Sequence, residues 1–141
     1  MSKFVPVTAD FAVAPQIAVN DVQAAAVAGF RRIINNRPDY EQPGQPTDAA
    51  LAEAAAAAGL AWRFAPIVAP TMDAVDAMAA ALAEPGPMLA FCRSGTRSMT
   101  LWALAQAKRK AMTADDILTA ARGAGYDLRH LRGALRELAE G

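Results

Sequence analysis

The sequence predicts an α/β fold: a single domain with a mostly parallel central sheet flanked by helices. Three observations predict it. Short apolar runs of strand character alternate with capped helical segments along the chain. The run Met88-Leu89-Ala90-Phe91 is apolar at every position, as expected of a strand buried on both faces. A length of 141 residues suits one hydrophobic core, so residues 1–141 are expected to form one domain.

Phe4–Val7 and Phe11–Val13 are short strand-like pieces. Asn20 or Asp21 can cap a helix over Asp21–Ala28, which Gly29 ends as a C-cap residue. Phe30–Asn35 reads as a strand and runs into the polar segment Asn36–Pro46, where three prolines and a glycine forbid regular structure. Thr47 is a good N-cap for the alanine-rich helix Asp48–Ala58, which Gly59 terminates. Trp62–Val68 gives another strand, with Pro66 placing it at an edge or a strand end. Thr71 caps a helix through Leu82, in which Val75, Met78 and Leu82 recur at helical spacing. Pro85-Gly86-Pro87 then breaks the chain before the Met88–Phe91 strand. A helix over Met99–Lys108 follows, then a Thr113-capped helix with Asp115 and Asp116 in its first turn, and a last helix over Asp127–Ala139. In open α/β sheets ligands bind beyond the carboxyl ends of the strands, which puts the loops after Phe91 and Asn35 on one edge.

Composition narrows the function classes. Fourteen Lys and Arg balance fourteen Asp and Glu, so no nucleic-acid or anionic-membrane surface is indicated. No apolar run approaches the ~20 residues of a membrane span, and no basic, apolar secretory leader is visible. One cysteine and one histidine, far apart, supply no metal site. No glycine-rich nucleotide loop is present and no cofactor is expected. A lone thiol fits a reducing compartment, so a cytoplasmic enzyme is the expectation.

That thiol lies in Cys92-Arg93-Ser94-Gly95-Thr96-Arg97-Ser98, between the Met88–Phe91 strand and the following helix. Backbone N–H groups of such a turn and of the helix N-terminus lack intrahelical partners and favour a negative charge, either a substrate oxyanion or the thiolate. Cys92 is the candidate nucleophile and Arg97 the catalytic cation, whose planar fork fits an oxyanion. The ordinary alternative for Cys92 is a small buried hydrophobe. Arg93, Ser94, Gly95, Thr96 and Ser98 are the candidate anion-binding residues. Gly95 supplies a backbone conformation forbidden to side chains, and Ser98 either bonds the thiolate or caps the helix. Asn35, Asn36, Arg37 and Asp39 either line the site from the facing loop or satisfy their own turn. His130 reads as an exposed helical residue and Trp102 as core.

Counting within the loop separates two chemistries. Cysteine phosphatases carry Cys-x5-Arg, whereas here Arg97 comes one position early and Ser98 stands sixth. The Cys-x4-Arg string resembles the rhodanese loop, which carries a cysteine persulfide. Elsewhere, the run Gly29-Phe30-Arg31-Arg32-Ile33-Ile34-Asn35-Asn36-Arg37-Pro38-Asp39, preceded by Gln16, then Gln45-Pro46, then the Cys92–Ser98 loop with Leu101-Trp102-Ala103, resembles the phosphatase-like domain of the beta-lactamase-hydrolase-like proteins. The similarity covers roughly residues 4–130 and rests on several separated motifs in one order. It implies a fold similar to the dual-specificity phosphatases. Some members are fused to a metallo-beta-lactamase-type persulfide dioxygenase and are described as sulfur transferases.

Two departures from the phosphatase pattern favour sulfur chemistry. Phe91 stands where a histidine usually precedes the nucleophile. Val68 or Ala69 stands where the general-acid aspartate is expected, with Asp39 and Asp73 as the remaining donors. General acid help is worth ~10²–10⁴ in rate to a phosphomonoesterase, whereas sulfane transfer expels an already stable anion. The first expectation is therefore a cysteine-dependent sulfurtransferase taking thiosulfate or a small persulfide and passing sulfur to a thiol acceptor. A phosphatase acting on phosphoesters is the alternative, and a non-enzymatic anion-binding module is the third.

Overall fold

A computed structural model describes residues 3–141. Five strands, β1 (Val5–Thr8), β2 (Phe11–Ala14), β3 (Arg32–Asn35), β4 (Ala61–Phe64) and β5 (Met88–Phe91), form one sheet in the order β1-β2-β5-β3-β4. β1 pairs with β2 antiparallel, and the other three pairings are parallel. The α/β class and the mostly parallel centre are thus as the sequence indicates. The register sets the functional edge: Ala14 lies beside Phe91, Phe91 beside Asn35, and Asn35 beside Phe64. Four successive loops therefore leave the sheet at one level.

Alternation of side chains across the strands builds two apolar layers. On one face Val13, Ile34, Met88 and Ala90 pack against α3 (Met72–Leu82), α4 (Thr96–Lys108), α5 (Ala114–Gly123) and α6 (Arg132–Glu140). On the other Ala12, Ala14, Ile33, Leu89 and Phe91 pack against α1 (Val19–Val27) and α2 (Asp48–Ala57). α4 is the central helix, with Ser98, Met99, Leu101, Trp102, Ala103 and Ala105 all buried. Trp102 is fully buried and stacks on Phe11 with ring centroids 5.7 Å apart. Truncating such a side chain to alanine typically costs about 3–5 kcal/mol. This rigid helix is what carries the second half of the Cys92 loop.

Element boundaries differ from expectation where local hydrogen bonds compete. α1 is capped from Ala18, and Asp21 reaches back to accept from the Ala18 N–H at 2.8 Å. Its C-terminus is a Schellman turn in which Phe30 N–H bonds Ala25 O and Gly29 N–H bonds Ala26 O, so β3 starts only at Arg32. β4 is indeed an edge strand and ends at Phe64, two residues before Pro66. The last helix is interrupted: Asp127 accepts the Arg129 N–H at 3.1 Å, a side-chain turn that leaves a 3₁₀ segment at Arg129–Leu131 before α6. His130 lies exposed on that segment.

Candidate active site

α4 begins at Thr96, three residues earlier than its apolar pattern suggests, with Gly95 as N-cap at φ 92°. The left-handed backbone at Gly95 turns the chain so sharply that the Gly95 N–H points back at Cys92 Sγ, 3.1 Å away. Cys92 is 1% exposed, at the bottom of the turn. Ser98 is therefore not the cap but the third helical residue. Its buried hydroxyl donates to Asn36 Oδ1 at 2.8 Å. The Asn36 amide in turn donates to Ala65 O at 3.0 Å and its backbone N–H to Phe91 O at 2.9 Å. Asn36 thus ties the loop-bearing helix to the ends of β4 and β5.

The remaining residues divide into those that reach the loop and those that shape its surroundings. Arg93 is exposed, and its guanidinium makes no hydrogen bond or ion pair among the described residues, while its carbonyl accepts from Gln16 N–H at 3.2 Å. Ser94 and Thr96 are exposed and bond each other at 3.0 Å. Asn35 donates to Asp48 Oδ1 and accepts from the Arg37 N–H, and the same Asp48 oxygen takes the Trp62 indole N–H at 2.8 Å. Asp39 accepts from the Asp48 N–H at 2.8 Å. Asn35 and Asp39 thereby fasten the 36–46 segment to α2, and Asp39 has its carboxylate committed there. Phe91 is fully buried against Trp62, ring centroids 5.9 Å apart, so the residue before Cys92 is held by packing.

Two residues that the sequence did not single out stand next to the loop. Glu41 receives Arg97 in a two-pronged ion pair, Nη1 to Oε2 at 2.7 Å and Nη2 to Oε1 at 2.8 Å, and Arg37 Nε reaches Oε1 at 2.8 Å. Arg97 Nη1 also donates to Ile67 O at 2.9 Å. The Arg97 hydrogen bonds, with the one from Arg37, hold the Glu41 carboxyl at about 2, well below its ordinary 4.5, against the opposing effect of burial. Arg97 is reciprocally held more firmly protonated by Glu41, with a further contribution from the charge of Cys92. The only signal of Glu41 in the sequence is its position four residues after Arg37, within a segment that reads as irregular.

Tyr126 is the second. Its hydroxyl donates to Ser94 O at 2.9 Å, and it lies against Gly95. Burial pushes the phenol pKa upward, and the negative charge of Cys92 adds to the effect. Tyr126 also lines a cleft of about 430 Å³ with Asp115, Leu118, Arg122, Arg129 and Arg132. Arg129 pairs with Asp127 and Arg132 with Asp115, and Arg122 has no such partner among the described residues.

The sum is a buried thiol against the Gly95 N–H at the turn into α4, whose first turn carries the Arg97 guanidinium held by Glu41. No group of three or more His, Cys, Asp or Glu side chains that could hold a metal comes together among the described residues, and no helix of the described residues is long and apolar enough to cross a membrane.

The domain model of the beta-lactamase hydrolase-like protein, phosphatase-like domain, matches residues 3–109. Beta-lactamase hydrolase-like proteins of Agrobacterium fabrum and Xylella fastidiosa are 36% and 34% identical over 129 residues, 89% of this chain in each case. The matched region is 30% of the length of either relative. Among solved structures, a candidate phosphatase from Neisseria meningitidis Z2491 superposes with a TM-score of 0.83 at 28% identity, covering 98% of this chain and 99% of that one. Tk-PTP in its active form (TM-score 0.73, 17% identity, 98% and 97% covered) and kinase associated phosphatase (0.72, 13%, 99% and 96%) share the fold. With the family model spanning most of its length, the chain belongs to the phosphatase-like domain family of the beta-lactamase hydrolase-like proteins.

Proposed function

We propose that this domain is a cysteine-dependent phosphoester hydrolase, reversing the order of preference drawn from the loop spacing. The observation that carries the reading is the pairing of Cys92 Sγ with the Gly95 N–H while Arg97 is anchored by Glu41 beside it, on a phosphatase-like scaffold. In the reaction, Cys92 thiolate attacks phosphorus, the P–O bond to the leaving group breaks, and a phosphocysteine forms. Water then cleaves the P–S bond, releasing inorganic phosphate and restoring the thiolate. Donors of the Cys92–Ser98 loop and Arg97 bear the charge on the transferred phosphoryl oxygens, and Arg93 recruits the anionic substrate from solvent.

The Cys-x4-Arg spacing of Cys92 and Arg97 supports a second reading, sulfur transfer. There the thiolate attacks the outer sulfur of thiosulfate, sulfite leaves, and the resulting persulfide is handed to an acceptor thiolate, which regenerates Cys92. Phosphate release from an aryl phosphate, measured beside sulfite release from thiosulfate and lost in Cys92→Ser, separates the two. Phosphate release is expected. Sulfite release without phosphate release would reinstate sulfur transfer, and neither activity alongside oxyanion binding would leave an anion-binding module.

A further inference from the structure

We propose that Glu41 is a positioning residue for the reaction at Cys92, acting through Arg97. This rests on the Cys92 loop being the reacting site. A guanidinium has five N–H groups. Glu41 takes one from each Nη of Arg97, and Ile67 O takes the second from Nη1. The bonds to Glu41 engage the end of the plane, so the Nε–H and the second Nη2–H, which lie side by side along its other edge, are used by neither Glu41 nor Ile67. Arg97 stands in the first turn of α4, directly after the Gly95 turn whose N–H meets Cys92 Sγ, and Cys92 adds to the interactions that keep this guanidinium protonated. One fork is used to fix Arg97, and the other is left for an oxyanion.

A carboxylate next to an anion site also repels the anion, and two observations decide the balance. Glu41 is shared with Arg37, which is 2% exposed and further held by Gln16 Oε1 at 2.9 Å and Gln42 Oε1 at 3.0 Å. Two cations against one carboxylate leave the cluster with a net charge of +1. The loop is also constructed to present Glu41. Tyr40 just before it adopts φ 63° although its side chain is 85% exposed, a conformation unusual for a bulky residue. Gln45 holds that turn, its Oε1 accepting from the N–H groups of Glu41 and Gln42 and its Nε2 donating to Pro38 O. No packing of the Tyr40 ring accounts for the turn, whereas delivery of Glu41 to Arg97 does.

The test uses Glu41→Gln, nearly isosteric but unable to accept both prongs, and Glu41→Ala. Binding of inorganic phosphate by calorimetry and aryl phosphate hydrolysis are measured on each, with thermal melting to correct for folded fraction. Both variants are expected to bind phosphate about 10-fold more weakly, the equivalent of about 1.4 kcal/mol, and to lose kcat more than KM changes. Loss of melting temperature with unchanged phosphate affinity and kcat per folded molecule would make Glu41 merely structural and overturn the proposal. Tighter phosphate binding in either variant would overturn it too, because Glu41 would then be an occupant that substrate must displace. Absence of phosphate binding and turnover in the unmodified protein would instead remove the phosphatase reading, and the positioning role with it.

Discussion

A β-carbon built on Gly95 would lie 2.1 Å from the Tyr126 hydroxyl and 3.1 Å from its Cζ. The loop that carries the thiol is therefore closed by an aromatic ring that tolerates no side chain at that position. Gly95→Ala combines this clash with a left-handed backbone at φ 92° and is expected to cost about 2–4 kcal/mol. Tyr126→Phe alone forfeits one hydrogen bond, about 1 kcal/mol. Because the phenylalanine removes the 2.1 Å contact, the double variant should be less unstable than the sum of the singles, a coupling that denaturant titration measures directly.

Ser98 and Asn36 form a second cross-brace. Ser98→Ala leaves the buried Asn36 carbonyl oxygen without the hydroxyl that satisfies it, and a loss of about 1–3 kcal/mol is expected in chemical denaturation. An unchanged midpoint would mean that the amide finds another donor.

Acid should act through Glu41 only well below neutrality. Its carboxyl is depressed to about 2 in the folded chain, so the stability it contributes is complete above its ordinary 4.5 and is lost as pH falls through about 2. The side chain is 26% exposed, which tempers the size to on the order of 1–2 kcal/mol. The stability difference between the unmodified protein and Glu41→Gln should therefore be flat from pH 8 to pH 5 and shrink at lower pH. A difference that shrinks between pH 8 and pH 6 contradicts this.

Leaving-group chemistry should discriminate between substrates. The segment Phe64–Pro70 carries no acid, Asp39 is committed to the start of α2, and Glu41 is held ionised by two arginines. With these carboxylates engaged elsewhere, a departing oxygen lacks from them the general acid help usually worth ~10²–10⁴. Aryl phosphates, whose phenolates leave more readily, should be hydrolysed on the order of 10²-fold faster than alkyl phosphates. Equal kcat/KM for the two classes would indicate a working acid.

The Cys92 loop and its position at the sheet edge were legible because strand, turn and helix signals are contiguous there. The alternating segments likewise revealed the parallel centre, since each strand is bounded by a cap or a breaker. Glu41 and Tyr126 were hidden for a different reason. Each meets the loop across a long sequence separation, and in the chain each reads as an ordinary polar or surface residue. The start of α4 is not visible in the sequence because Thr96, Arg97 and Ser98 lack the apolar spacing that marks a helix, and Gly95 caps it by its left-handed backbone without a side-chain bond. Asp127 broke the last helix by a local side-chain bond that periodicity does not register.

The most direct test is the mass of the intact protein quenched during turnover of an aryl phosphate, with a parallel sample held in thiosulfate. The expected result is an adduct of one phosphoryl group, mapped to Cys92 and absent from Cys92→Ser, with no sulfur adduct in the parallel sample. An added sulfur atom on Cys92 from thiosulfate, with no phosphoryl adduct and no phosphate release, would contradict the hydrolase account.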